Sequence, residues 1–497
     1  MDNSLTKLKR LIKKLFPNKH AGEMILHLFK LMRHEYCKKH EYDIKNLLKM
    51  ANFDIPTKDI YVENEELLYE IIDKEGLDWG DTNFHLRYRI QDVNDLITLR
   101  PELQDSKSSI LKVVNEKGYL LSILPLNLLL SREVLNQFLP PPDFSIPHPV
   151  KDIDPYGIAS PDAKVMKNNL WLGSKKFPHS VLMNIHGHCP IGCSDCYKSY
   201  YVREKGREDK LGAGDPYEEL PIRLKEQVKL LVEWLNANPQ VYDVIISGGE
   251  PLLRPNTHIK LMLEEFKKAK HLKIMRICTG VIFLGLPFRI DDELLKTLSE
   301  FVEETGIKIT FQAHLSNYLQ ITPEAVIAVK KIREAGFNIY SQTPIKEGVN
   351  FFSNDIEKTI IFLRELVRKQ FLIGVEPYKF IVDMHPRTIA YYVPIELLAK
   401  VFSALFDSHV IPDLERPKTL SILSKQGNLI LSWHSLFAMK KEVDTKKGIV
   451  KYHIPKVILE KIEEVIDDYV YEEPLLVSNK DPDSLLKIRN NWLEKLR

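Results

Sequence analysis

From residue 181 to about residue 406, short apolar runs alternate with longer stretches whose apolar residues recur every three or four positions. The short runs are Val181–Ile185, Asp243–Ser247, Lys273–Cys278, Ile307–Gln312, Asn338–Gln342 and Leu372–Tyr378. Their length and β-branched content predict strands. The stretches between them predict helices at about Pro221–Asn236, His258–Ala269, Asp292–Glu304, Pro323–Ala335, Asp355–Lys369 and Pro394–Phe406. The fourth helix is well marked: Thr322 can cap it, Pro323 suits its first turn and Gly336 suits its exit. Regular strand–helix alternation is the sequence mark of parallel βα units. Six such units predict an α/β fold built on an open, partial (β/α)6 barrel. Ligands on such sheets sit at the C-terminal ends of the strands.

The flanks follow other patterns. Residues 1–75 read as a helical N-terminal region, with amphipathic helices at Ala21–His34 and Glu65–Lys74 and Asn64 as a cap for the second. Leu5–Phe16 has apolar residues at helical spacing and a basic opposite face. It reads as a docking helix with a solvated face, the alternatives being a transit peptide or a membrane-surface helix. Cys37, His34 and His40 read as scattered surface residues. Residues 76–170 open at Asp78-Trp79 and run into Pro140-Pro-Pro142, Pro147, Pro149 and Pro155, the pattern of a helical and extended connector on the core. The barrel is expected over 171–407, and 408–497 as a C-terminal extension. Residues 440–497 are charged and predict helix, with Lys456–Val470 the clearest amphipathic segment, as a terminal cap or an oligomer contact.

Composition changes this picture little. A 497-residue chain with 44% hydrophobic and 28% charged residues is an ordinary globular sequence. A net charge of +2 gives no global pull toward nucleic acid or anionic membrane, so neither is an expected partner. Five cysteines make no disulfide framework and fit a reducing, cytoplasmic setting. The most apolar run, 119–131, is too short to span a bilayer and contains Pro125.

The chemistry concentrates after the first and second barrel strands. Cys189-Pro-Ile-Gly-Cys193-Ser-Asp-Cys196 puts three thiols within eight residues. That spacing lets them bind three irons of a 4Fe-4S cluster and leaves the fourth iron for a small chelator. The thiolates alone also allow zinc, with His186 or His188 as fourth ligand. Ser247-Gly-Gly-Glu-Pro251 follows the second strand. Its glycines let the backbone approach a ligand closely, and Glu250 can accept from an ammonium. The cysteine loop and this turn, one βα unit apart, together resemble the cluster and S-adenosylmethionine (SAM) sites of radical SAM enzymes. Zinc explains only the thiolates. By this reading Cys37 and Cys278 are dispensable, and a bulky residue at 249 weakens SAM binding while the cluster stays assembled.

From about Asp78 to Arg387 the chain resembles the lysine 2,3-aminomutase family of radical SAM enzymes. The resemblance rests on Asn236–Glu250, Arg276-Ile-Cys-Thr279, Leu286-Pro-Phe-Arg-Ile290, His314, Gln342 with Gly348-Val-Asn350, Val375-Glu-Pro-Tyr378 and His385-Pro-Arg-Thr388, in order. It implies a 4Fe-4S cluster and SAM, cleaved reductively to a 5′-deoxyadenosyl radical that abstracts hydrogen from an amino-acid-like substrate, with 2,3-amino migration as the outcome. It places Ser247, Gly248, Gly249, Glu250, Pro251, Arg276, Thr279, His314 and Gln342 at SAM or the barrel mouth. Lys198 falls on a family arginine that grips the substrate carboxylate. An electron donor such as a flavodoxin or ferredoxin is the implied partner, with a homo-oligomer as a further expectation.

The family's pyridoxal phosphate (PLP) is matched less well. Its two phosphate arginines fall on Lys176 and Ser180, and no glycine run precedes a PLP lysine; Lys418 and Lys425 are the nearest candidates. Asp383 and Asp413 lie only near the family's carboxylates for a distant substrate amine. Weak or absent PLP binding is therefore expected. A PLP-independent radical SAM enzyme acting on a natural-product or peptide substrate is the alternative. A non-catalytic iron–sulfur or zinc protein is the alternative of another class.

Overall fold

The computed structural model describes residues 4–50, 65–88, 90, 93–108, 110–111, 164–168, 170–189, 193, 196, 222–382, 393–407, 411–424, 427–431, 440–446, 449–457 and 465–474. Ten strands form one sheet in sequential order: β1 (Lys164–Lys167), β2 (Leu170–Phe177), β3 (Ser180–Asn184), β4 (Asp243–Ser247), β5 (Ile274–Thr279), β6 (Lys308–His314), β7 (Asn338–Ile345), β8 (Glu376–Val382), β9 (Thr419–Ser424) and β10 (Gly427–Leu431). Neighbours from β3 to β9 pair in parallel. The first two strands and the last add antiparallel edges. β3 to β8 are each followed by a helical segment, in the α/β, open-barrel arrangement that the alternation predicts.

The helices between strands are Ile222–Ala237, Asn256–Phe266, Asp292–Thr305, Pro323–Glu334, Ile356–Leu372 and Ile395–Phe402. Each lies within a few residues of its expected bounds. Thr322 accepts from the Ala325 amide at 3.3 Å, as the cap reading requires. One face of each of β3 to β6 is buried: Val181 and Met183, Val244 and Ile246, Met275 and Ile277, Ile309 and Phe311. Each such side chain contributes about 1.5–3 kcal/mol of burial. The opposite face carries the chemistry.

Three expectations need correction. The run Leu372–Tyr378 is not one strand: Leu372 ends a helix, Gly374 turns the chain at φ 93°, and β8 starts at Glu376. The apolar Ile373 and Val375 are buried in that turn, so apolarity alone misplaced the boundary. Beyond residue 407 the sheet continues through β9 and β10, with Leu420 and Ile422 buried. Finally, the reading of Lys456–Val470 as an amphipathic helix fails. β11 (Lys440–Asp444), β12 (Ile449–Val457) and β13 (Val465–Pro474) form a separate antiparallel sheet. Val450 and Tyr452 are buried either side of half-buried Lys451 in β12. That period-two pattern of β-branched and aromatic residues outweighs the charge content.

The N-terminal helices pack on the barrel. Ser4–Leu15 buries Leu5, Leu8 and Ile12, and Lys9 reaches Asp95 at 2.6 Å, so its apolar stripe is a docking face. The second helix runs Ala21–Lys39, longer than expected, and the fourth Glu65–Glu75. Cys37 is fully buried rather than a surface residue. No described helix is long and apolar enough to cross a membrane.

The strongest tie is Glu324, in the first turn of Pro323–Glu334. Arg33 donates to its Oε1 at 2.7 Å and its Oε2 at 3.2 Å, and the Trp79 indole donates at 3.0 Å. Burial alone pushes this carboxyl up. The Arg33 charge and these donors overcome that and hold it down at about 2. A depressed carboxyl stabilises the fold fully above its unfolded value of 4.5, and the stabilisation is lost as pH falls from there toward about 2. Glu324→Gln leaves Arg33 buried without its counter-charge. It should cost about 3–5 kcal/mol at pH 7 and much less at pH 3, measured by urea unfolding. Equal losses at both pH values would show that the ion pair contributes nothing.

Candidate active site

The cysteine loop leaves the C-terminal end of β3, and the Ser247–Pro251 turn leaves the C-terminal end of β4. The two are joined backbone to backbone. The Ile185 amide donates to Ser247 at 3.0 Å, the Gly249 amide to His186 at 2.8 Å, and the Glu250 amide to His188 at 2.9 Å. Both glycines are required by this contact. Gly248 has φ 131°, and a Cβ on Gly249 would overlap the His188 carbonyl and sit 3.0 Å from the Cys189 nitrogen. The amides of the turn are thus spent on the cysteine loop. The carbonyls of Gly248 and Gly249 accept no hydrogen bond among the described residues.

Cys189, Cys193 and Cys196 are in no disulfide, Cys193 buried and the other two half-buried. The Cys196 amide donates to the Cys193 carbonyl at 3.3 Å, which tightens the loop. Among the described residues, no three His, Cys, Asp or Glu side chains are gathered closely enough to hold one metal ion. Ligands of a cluster each take a different iron and stand farther apart. His186 is fully buried, with its Nδ1 accepting from the His188 amide at 3.1 Å. Burial, with Arg254 and His188 nearby, holds its ring far below the ordinary range and so neutral.

Glu250 does not face a ligand, contrary to its expected role as an ammonium acceptor. Its carboxyl accepts from the Thr279 hydroxyl at 2.7 Å, the Gly280 amide at 2.8 Å and the Leu252 amide at 3.2 Å. It locks the turn after β4 to the end of β5. Burial pushes it up to about 7 despite these donors. Thr279 is consumed in the same network, and Pro251 starts the buried short turn Pro251–Leu253.

Two arginines brace this corner. Arg254, fully buried, donates from Nη2 at 3.0 Å to the carbonyl of Ile185, the residue at which the chain leaves β3. Arg289 donates to the Leu252 carbonyl at 2.6 Å and the Arg254 carbonyl at 2.8 Å. Arg289 stands in the Leu286–Ile290 stretch of the resemblance. Arg254 went unnoticed, although a lone cation in an apolar loop was the available signal.

The inner face of the barrel carries a polar row. The Cys278 thiol meets Gln312 at 3.3 Å, and the Gln342 amide donates to Gln312 at 3.1 Å. His314 meets the Ser316 hydroxyl at 2.9 Å. Arg276, two residues before Cys278, pairs with Asp243 through Nε at 2.9 Å, and so braces the barrel floor rather than its mouth. Asn350 holds the loop after β7 by donating to Ser316 at 2.9 Å and Pro344 at 2.8 Å. Lys379 of β8 pairs with Gln342 in register and joins this row. Sequence reading passed over it.

The PLP candidates fare differently. Lys418 is exposed, 2.7 Å from Glu376 and over the Tyr340 ring at 4.9 Å. Glu376 opens β8 and Tyr340 lies near the start of β7, so Lys418 stands at the opposite edge of the sheet from the cysteine loop. Lys418 is thus placed away from the cysteine loop and the glycine turn. Ser180 is buried in β3 and supplies no charge. Asp413 is exposed and paired with Arg416 at 3.0 Å. Lys198, Lys425, Asp383 and His385–Thr388 lie outside the described residues, as does the side chain of Lys176.

Residues 183–363 match the Radical SAM superfamily. The chain is 28% identical over 225 residues to a putative L-lysine 2,3-aminomutase of Aquifex aeolicus, covering 44% of this chain and 54% of that protein. It is 23% identical over 316 residues to the L-lysine 2,3-aminomutase of Clostridium subterminale, 62% and 68% of the two chains. It is 21% identical over 337 residues to the glutamate 2,3-aminomutase of Clostridioides difficile, 68% and 73% of the two. Against the Aquifex protein and a similar one from Buchnera aphidicola, the chain spans about half the relative's length. Residues 183–363 thus resemble the radical SAM superfamily, and the chain resembles the lysine 2,3-aminomutase family.

Proposed function

We propose that this protein is a radical SAM enzyme in which Cys189, Cys193 and Cys196 hold a 4Fe-4S cluster and the Gly248–Gly249 carbonyls receive the methionine ammonium of SAM. The observation that carries this is the backbone seam between cysteine loop and glycine turn. It joins the loop that carries the three cysteines to a turn whose Gly248 and Gly249 carbonyls accept no hydrogen bond among the described residues. When bound, the cluster and SAM supply one-electron cleavage and a hydrogen-abstracting radical. The chain's own part is to position and to exclude water. Arg254 and Arg289 fix the loop, Glu250 fixes the turn, and the Cys278–Gln312–Gln342 row lines the barrel interior.

The substrate reading is an amino acid or amino-acid-like molecule undergoing amino migration, as the relatives' names indicate. An electron donor of the flavodoxin or ferredoxin class would deliver the electron, in a reducing cytoplasm. Lys198 is the candidate for a substrate carboxylate. The deciding experiment is anaerobic reconstitution with iron and sulfide, then mass spectrometry for 5′-deoxyadenosine and for rearranged amino acids. A fully loaded protein that never cleaves SAM would overturn the proposal.

A PLP-independent reaction is the second reading, favoured by buried Ser180 and by Lys418 at the wrong edge of the sheet. Losing one charge-assisted phosphate contact costs roughly 1.5–3 kcal/mol. The purified protein should therefore carry well under one equivalent of PLP and show no internal-aldimine band. Stoichiometric PLP, fixed by borohydride on Lys425, would overturn this second reading.

A further inference from the structure

The inner face of the barrel holds a cation, Lys379, that has no paired anion among the described residues. Lys379 sits between Gln342 of β7 and Thr419 of β9 in register. A register shift at Ser341/Gln342 brings it onto the inward row. It makes no hydrogen bond or ion pair among the described residues. Asp243 of β4 is paired with Arg276, and Glu376, three residues before Lys379 on β8, is paired with Lys418. Arg276 is close enough to repel the Lys379 charge.

We propose that Lys379 binds an anionic group, a carboxylate or a phosphate, of the molecule on which the barrel acts. The inference rests on the radical SAM reading only for calling that molecule substrate or cofactor. A cation drawn partly out of water without a counter-charge forfeits hydration, and Lys379 is half-buried. Here burial first, and Arg276 second, push the ammonium down to about 8. A bound anion would reverse both penalties. Gln342 beside it in register, hydrogen-bonded to Gln312 of β6, offers uncharged hydrogen-bonding groups, so one site can grip an anion and read its neighbouring polar groups.

A lysine with a lowered pKa acylates readily, and a bound anion suppresses this by charge and by shielding. The test is trace acetylation of the anaerobically reconstituted full-length protein, with Lys379 followed by peptide mass spectrometry. The probes are L-lysine, L-glutamate, L-lysinamide, inorganic phosphate and PLP. Protection by the amino acids but not the amide supports a substrate carboxylate; protection by phosphate and PLP supports a cofactor phosphate. Lys379→Met should weaken the protecting ligand's binding by about tenfold to a hundredfold in calorimetry, and Lys379→Arg should restore most of it. No protection by any anion, or unchanged affinity in a folded Lys379→Met protein, would overturn the inference. So would a borohydride-fixed aldehyde adduct on Lys379. These readouts need no radical chemistry. A parent protein that fails to cleave SAM would refute the proposed function and leave the anion site standing.

Discussion

Replacing Cys189, Cys193 or Cys196 with alanine is expected to abolish the iron–sulfur absorbance and SAM cleavage together. Each thiol stands on the one loop between β3 and the glycine turn's seam, and cluster irons bind thiolates rather than thiols. Alanine offers no ligand, and no other described cysteine lies on this loop. Cys37 is fully buried in the N-terminal helices, where burial pushes its thiol far above the ordinary range. Cys278 lies on β5, committed to Gln312. Alanine at either should leave the cluster's absorbance intact after anaerobic reconstitution. Iron content near four per chain in Cys196→Ala would refute the ligand assignment, as would loss of the cluster in Cys37→Ala.

The barrel was legible because its signal is local. Each of β3 to β7 is an apolar run bounded by turn residues, and each helix shows an amphipathic period. The cysteine spacing and the glycine turn are also short-range patterns. What escaped was set by long-range contact. Glu250 looks like a ligand residue in sequence, yet Thr279 and Gly280, about thirty residues on, turn it inward. Arg254 matters because Ile185, 69 residues earlier, offers it a carbonyl. Lys418 was suggested by its place after the family pattern, and only pairing of β9 with β8 reveals which end of the sheet it occupies. Lys379 was invisible because a register shift, not its position in a run, decides its face. The β11–β13 sheet escaped because its charged residues masked a two-residue alternation.

Gly249→Val is expected to destroy SAM binding and the cluster together, not SAM binding alone as the turn's sequence suggests. A side chain here would meet the His188 carbonyl and the Cys189 nitrogen, which are backbone atoms of the cysteine loop rather than a ligand space. Backbone cannot rotate away as a flexible side chain can, so either the loop or the turn must move. Moving the loop carries Cys189 with it. Moving the turn breaks the Gly249–His186 and Glu250–His188 bonds and pulls on Glu250, whose carboxyl also holds β5. A displacement of about 1 Å in a positioned site costs on the order of a hundredfold in rate. Gly249→Val should therefore lose about a hundredfold or more in 5′-deoxyadenosine formation, with iron content and SAM affinity falling in parallel. Gly306, at φ 71° with open space around it, is the control. Gly306→Ala should cost stability through backbone strain while leaving iron content unchanged. A Gly249→Val protein with a full cluster and only weakened SAM affinity would show that the seam is loose enough to admit a side chain.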